Sequence, residues 1–193
     1  MARKLKACCW PTSDPLMIRY HDSEWGVPLH DDRAIFEFLV LEGMQAGLSW
    51  STVLRKRENL RSAFDGFRPD IVSRYDEKEV KRLLADPGII RNRLKIEGAI
   101  TNARLFLAVQ EEFGSFDRYI WKFIAGKPIR HRFRSFKELP PTTPDSDRIS
   151  AALKKRGFKF AGSTIVYSHM QATGMVNDHT IDCVRYKACG CEA

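Results

Sequence analysis

Apolar side chains recur at three- and four-residue intervals nearly from end to end, the period of helices with one inward face. Ile35, Phe38 and Leu39 follow the polar Asp31 and Asp32 and predict a first helix over about residues 32–43. Ser49 is placed to cap a second, with a stripe of Trp50, Val53, Leu54, Arg57 and Phe64 that is apolar except for one amphipathic arginine. Asp76 followed by Glu79 has the spacing of a capping box. It opens a helix through Val80, Leu83 and Leu84 that Pro87 and Gly88 must end. Ile96, Ile100, Ala103 and Leu107 mark the next helix, and shorter helical patterns follow at Phe116, Ile120 and Phe123 and at Ile149 and Leu153. The proline-rich stretch from Phe136 to Asp147 reads as a connecting loop. A last helix runs through Ile165 to Thr173, where Gly174 can stop it. No alternating strand set emerges, so the expected fold is mainly α.

The 193 residues, 44% hydrophobic and 29% charged, suit one globular unit and exclude disordered, collagenous and fibrous classes. No apolar run reaches the roughly 20 residues that cross a bilayer. The opening MARKLKACCWPTSDP has no apolar stretch after its basic residues, so the expected location is cytoplasmic, with no membrane partner. A net charge of +8 admits a polyanionic partner such as nucleic acid, and equally a solvated basic surface of no special purpose. Five cysteines argue against a disulfide framework and leave thiols or metal ligands.

Cys8 and His21 stand near the start, and His179 and Cys183 form an i, i+4 pair near the end. Two thiolates and two imidazoles suit a closed tetrahedral zinc site tying the chain ends together. A buried cysteine as small hydrophobe is the plainer alternative, and Cys9 competes for the first position. Glu42 continues the stripe of the first helix at i+7, where a carboxylate either turns inward among apolar groups or reaches solvent beside Gly43. Trp10, Tyr20, Trp25 and Trp50 lie close by in sequence, as core or as faces on which a base stacks. The segment LLADPGIIRNRLKI sets a Pro-Gly turn between two helices, with Arg91, Arg93 and Lys95 behind it. This is either a helix-hairpin-helix that offers backbone amides to a phosphate or an ordinary αα-turn.

The motifs YHDSEWGVP (20–28), LEGMQAGLSW (41–50), TVLRKRENLRSAF (52–64), GIIRNRLKI (88–96), LKKRGFKFAG (153–162) and MVNDH (175–179), taken in order, resemble the bacterial 3-methyladenine DNA glycosylases of the constitutive type I family. The resemblance spans nearly the whole chain. It implies a mainly α, helix-hairpin-helix glycosylase fold with one structural zinc ion on Cys8, His21, His179 and Cys183. It also implies that Glu42 and Tyr20 hydrogen-bond the extruded base, that Trp50 stacks on it, and that Trp10, Trp25 and Gln45 shape the pocket. Gly88, Ile89, Ile90 and Arg91 would meet the DNA backbone. Two helical lobes are expected, about 32–130 with the hairpin and about 1–31 plus 131–193 with the zinc. Met17 stands where an aromatic can occur, and CVRYKACGCEA at the end is assigned no role.

The activity so implied is monofunctional hydrolysis of the N-glycosidic bond of 3-methyladenine in alkylated double-stranded DNA by a monomer. Methylation at N3 makes the base cationic, so it leaves as a neutral molecule and needs little further activation. The next aspartate after Asp86 is Asp117, which opens another helix rather than occupying the expected position of a catalytic aspartate. Two rival readings are a zinc hydrolase or deaminase, which lacks the His-x-Glu and Pro-Cys-x-x-Cys pattern, and a non-catalytic zinc-containing DNA-binding module.

Overall fold

The computed structural model describes Trp10 and residues 12–189. Eleven helices are present among these residues: α1 (Pro15–Ser23), α2 (Asp32–Gln45), α3 (Trp50–Arg55), α4 (Arg57–Ala63), α5 (Pro69–Val72), α6 (Glu77–Ala85), α7 (Arg93–Phe113), α8 (Phe116–Trp121), α9 (Pro144–Lys155), α10 (Ser163–Ala172) and α11 (Val184–Ala188). Two-residue strands β1 (Ile129–Arg130) and β2 (Val176–Asn177) pair in parallel, Ile129 opposite Val176. They are too short for any alternation, which is why the sequence pattern shows no strand.

Helix α2 is the axis of the molecule. Asp31 caps it by accepting from the Ala34 amide. Asp32 reaches outward instead and accepts from the Phe116 and Asp117 amides and from Gln110 Nε2, fastening α2 to the α7–α8 junction. The stripe predicts one inward face, yet every residue from Ile35 to Met44 is buried, because α3, α7, α8 and α10 all pack on it. Two carboxylates are thereby enclosed. Glu37 is satisfied by Arg57 and Arg61, and Arg57 also donates to Glu24.

The single helix expected after Ser49 divides at Lys56 into α3 and α4. Arg57 turns inward to its carboxylates, while the Lys56 ammonium donates to the Pro87 and Gly88 carbonyls of the α6–α7 turn. Asp76 does cap α6, accepting from the Lys78 and Glu79 amides, but Glu79 pairs with Arg82 and leaves the box open. The reciprocal box lies at α9, between Thr143 and Ser146. That helix starts at Pro144, so the predicted loop is shorter and also contains a 3-10 turn at Phe136–Glu138. In α7 the inward stripe continues from Ala103 to the fully buried Phe106, leaving Leu107 only half-buried.

The segment after α1 crosses the end of α10. Gly26 donates to the Gln171 carbonyl and Leu29 to that of Thr173. Gly174, at φ 68°, lies so close to this crossing that a Cβ would stand 2.3 Å from the backbone of Val27 and Pro28. The larger apolar core joins residues from Ile35 to Val176; a smaller one comprises Tyr20, Trp25, Phe38, Leu54 and Ala172.

Candidate active site

The C-terminal half of α2, the outer face of α1 and the start of α3 converge on a cavity of about 470 Å³, within the size range of small-molecule sites. Tyr20 arrives from α1, Glu42 and Gln45 from α2, and Trp50 as the first residue of α3, with Ser49 fixing that helix start through the Thr52 amide. Trp10 and Trp25 complete the aromatic wall. Trp10 packs edge-on against Trp25 at 4.9 Å and tilted against Tyr20 at 5.9 Å; Tyr20 meets Trp50 at 5.3 Å. All six sequence-predicted pocket residues therefore line one cavity, with Met17 in its wall.

Glu42 is only 4% exposed, so the reading in which it reaches solvent is overturned. The Glu42 position is covered because α10 crosses α2 there and contributes Ser168 and Gln171 to the same cavity. Burial raises the Glu42 carboxyl to about 8, since removal from water penalises its charged form. Tyr20 is held well above its usual value, first by burial and then by the nearby Glu42 carboxylate. Three buried polar atoms of these residues have no partner among the described residues: Glu42 Oε2, Trp10 Nε1 and Trp50 Nε1. A buried group left unpaired costs about 1–3 kcal/mol, and here one acceptor and two donors surround an aromatic slot. Such an arrangement suits a planar ring that carries its own donors and acceptors.

Residues that sequence reasoning missed include Thr12, Asp14, Ser51, Phe136, Ser168 and Gln171. Asp14 is already engaged, capping α1 through the Leu16 amide and pairing with Arg55. Gln171 is oriented by Asp178, whose carboxylate accepts from Gln171 Nε2 at 2.7 Å and from Tyr167 at 2.6 Å. No local pattern marks Ser168 or Gln171, because their alignment depends on how α10 lies across α2.

A second constellation lies on the other side of α1. His21, His179 and Cys183 are fully buried, with ligand-type atoms all within 4.8 Å of one another, so they could hold a metal ion. His21 Nε2 to His179 Nδ1 measures 3.1 Å, and Cys183 Sγ lies 3.7 and 3.6 Å from those nitrogens. The remaining ring nitrogens are oriented by Asp22 and by the Trp25 carbonyl. Cys8, the fourth expected ligand, and its competitor Cys9 lie outside the described residues.

In the α6–α7 turn the Gly88 amide is already donated to Asp86 and the Ile89 amide faces the Asp86 carbonyl. Ile89 itself is buried. The Ile90 and Arg91 amides have no acceptor among the described residues, and Arg91 is exposed. Two of the three basic residues behind the turn are already engaged. Arg93 is paired with Glu77 and Glu97, and Lys95 is folded inward, where its ammonium donates to the carbonyls of Met44 and Ala46 at the end of α2. Asp117 binds His30 and does not line the cavity. No helix among the described residues is long and apolar enough to cross a membrane.

A helical fold that encloses a carboxylate beneath an aromatic slot has the shape and chemistry that suit a single planar ring. The chain belongs to the methyladenine glycosylase family, whose model matches residues 10–186. It is 49% identical over 182 residues to DNA-3-methyladenine glycosylase 1 of Escherichia coli (strain K12), covering 94% of this chain and 97% of that protein. A crystal structure of 3-methyladenine DNA glycosylase I superposes with a TM-score of 0.90 at 51% identity, covering 93% of this chain and 98% of the other. The Staphylococcus aureus enzyme, studied for its structural basis of 3-methyladenine recognition, gives 0.90 at 34% identity, covering 93% and 96%.

Proposed function

We infer that this chain is a monofunctional DNA glycosylase that releases 3-methyladenine from alkylated double-stranded DNA. One observation supports it above the others: Glu42, Trp10 and Trp50, each with a buried polar atom that has no partner among the described residues, line one aromatic slot, in a chain of the methyladenine glycosylase family.

The chemistry follows from charge. A base methylated at N3 is cationic, so its glycosidic bond is weak and it departs neutral. Its damaged pairing also lowers the energy of flipping it out of the duplex. Glu42, held protonated to about pH 8 in the empty site, ionises when a cation enters, because an opposite charge favours the carboxylate. It then accepts from the amino group of the base while Tyr20 adds a hydrogen bond. Trp50 stacks on the ring, and its face attracts the positive charge. Trp10, Trp25 and Gln45 complete the enclosure. Leu48, an exposed apolar side chain just beyond Gln45, suits the space that the flipped base leaves in the stack.

No lysine lines the cavity among the described residues, which favours direct attack of water on the sugar over a Schiff base. The cavity's aspartate, Asp14, is occupied by Arg55 and the α1 cap, so water attacks with little general-base help. Borohydride trapping of an enzyme–DNA adduct would contradict this.

DNA is held, on this reading, by a helix-hairpin-helix made of α6, the turn and α7. The Ile90 and Arg91 amides and the Arg91 guanidinium face phosphate, while Gly88 keeps the turn tight. At Gly88 a Cβ would come within 3.0 Å of both Asp86 and Asn59. Cys8, His21, His179 and Cys183 would hold one structural zinc, which would tie the two ends of the chain together. A tetrahedral site with zinc bonds of about 2.0–2.1 Å to nitrogen and about 2.3 Å to sulfur has N···N and S···N edges of about 3.3 and 3.6 Å. The 3.1, 3.6 and 3.7 Å separations fit that donor set, and both imidazoles carry the outer hydrogen bonds typical of metal ligands. The protein acts as a monomer. Titration with free 3-methyladenine tests the pocket: tryptophan fluorescence should change for 3-methyladenine and not for adenine, and equal responses would refute the reading.

A further inference from the structure

Glu42 lines more than one cavity. Besides the outer slot, it borders a narrow internal space of about 10 Å³ between α2 and α10, the volume that one water centre needs. The wall of that space is otherwise apolar, from Leu39, Phe116, Ile165 and Met170 among others, except for His169. His169 is 4% exposed, and neither ring nitrogen has a partner among the described residues. Glu42 Oε2 is in the same condition. Two buried, unsatisfied polar side chains therefore share the wall of a cavity that fits a single water.

We propose that His169 is a positioning residue for Glu42, and that a water held between the imidazole and Glu42 Oε2 fixes the carboxylate and supports its ionised form. Burial keeps the imidazole neutral, with its basicity lowered to about 4. One ring nitrogen thus carries a proton at working pH. That N–H donates to the water, the water donates to Oε2, and the other carboxylate oxygen is left for the base.

Other ionisable groups near Glu42 are few. Tyr20 comes from α1, with Asp14 ahead of it bound to Arg55. Lys95 comes from α7 and is held by the Met44 and Ala46 carbonyls. Helices α3 and α8 contribute only Trp50, Ser51, Phe116 and Ile120 to the two cavities, and α9 only Ile149 and Leu153. His169 is thus the group on the inner side of Glu42 whose removal would raise the carboxyl further, while Tyr20 and Asp14 are unchanged.

The inference rests on Glu42 as the base-reading carboxylate, so wild type, E42Q, H169F, H169Q and E42Q/H169F are compared. Loss of one hydrogen bond to the charged form lifts a carboxyl by about one pH unit. H169F should therefore lower kcat/KM for 3-methyladenine release about tenfold at pH 7 and much less at pH 9.5. H169Q, which keeps a donor, should restore most of it, and H169F should add nothing in the E42Q background. A decrement equal at both pH values, or additive with E42Q, overturns the inference and leaves the Glu42 reading intact. Full activity of E42Q overturns both. Imidazole ¹⁵N spectra provide a test that leaves His169 in place: its ring signals should move when Glu42 becomes Gln, and stationary signals would refute the link even if H169F fails to fold.

Discussion

The site is built at the expense of stability, and Glu42→Gln exposes how much. An unfolded Glu42 ionises above 4.5, whereas the buried one stays protonated to about 8. The folded state therefore binds more protons across that window. Stability attached to this group is fully present below pH 4.5 and is lost as pH rises to 8. At about 1.4 kcal/mol per pH unit the loss reaches about 5 kcal/mol. A buried amide at the same position keeps a pH-independent penalty of about 1–3 kcal/mol, so E42Q should gain about 2–4 kcal/mol at pH 9 and lose up to about 2 kcal/mol at pH 5. In a chain of this size about 1 kcal/mol moves Tm by about 2–4 °C, so calorimetry should find E42Q melting roughly 5–15 °C above wild type at pH 9. Equal melting temperatures at pH 9, or the same gain at pH 5, would refute the claim that an unsatisfied carboxylate is buried here.

Trp50→Ala should weaken binding of free 3-methyladenine by about 5- to 150-fold, the range of one lost stacking partner, as read by equilibrium titration; an unchanged Kd removes Trp50 from the pocket account. Gly174→Ala sets a Cβ against the backbone of Val27 and Pro28 at a positive φ, and denaturant unfolding should show a loss of more than about 2 kcal/mol. His179→Ala, or prolonged chelation, should release one zinc per chain by elemental analysis and lower Tm, while E42Q keeps its metal. Zinc-free wild type with an unchanged Tm would contradict a structural role.

The parts legible in the sequence are those decided locally. Ser49 and Asp76 cap helices where their spacing predicts, and the inward positions Ile35, Val53, Leu83, Ile96 and Leu153 are buried. Glu42 stands out because a carboxylate on an apolar stripe breaks the pattern, whereas its expected role and those of the aromatic residues come from the family resemblance. Whether Glu42 faced solvent was not legible, because its cover comes from α10, more than a hundred residues away. The same distance hid Ser168, Gln171 and His169, whose meaning lies in which cavity each meets. The partners of Lys95 and Arg93 were not legible either, because charge alone does not reveal them: the carbonyls of Met44 and Ala46 hold the first, and the carboxylates of Glu77 and Glu97 the second. The break at Lys56 escaped for a similar reason, since nothing local distinguishes a lysine that must reach the Pro87 and Gly88 carbonyls.

The most direct measurement is chromatography of the bases set free when the protein is incubated with N-methylated duplex DNA. Free 3-methyladenine should accumulate with wild type, fall sharply with E42Q at unchanged zinc content, and far exceed any 7-methylguanine. DNA binding without base release, or equal release of the two methylated bases, would contradict the account.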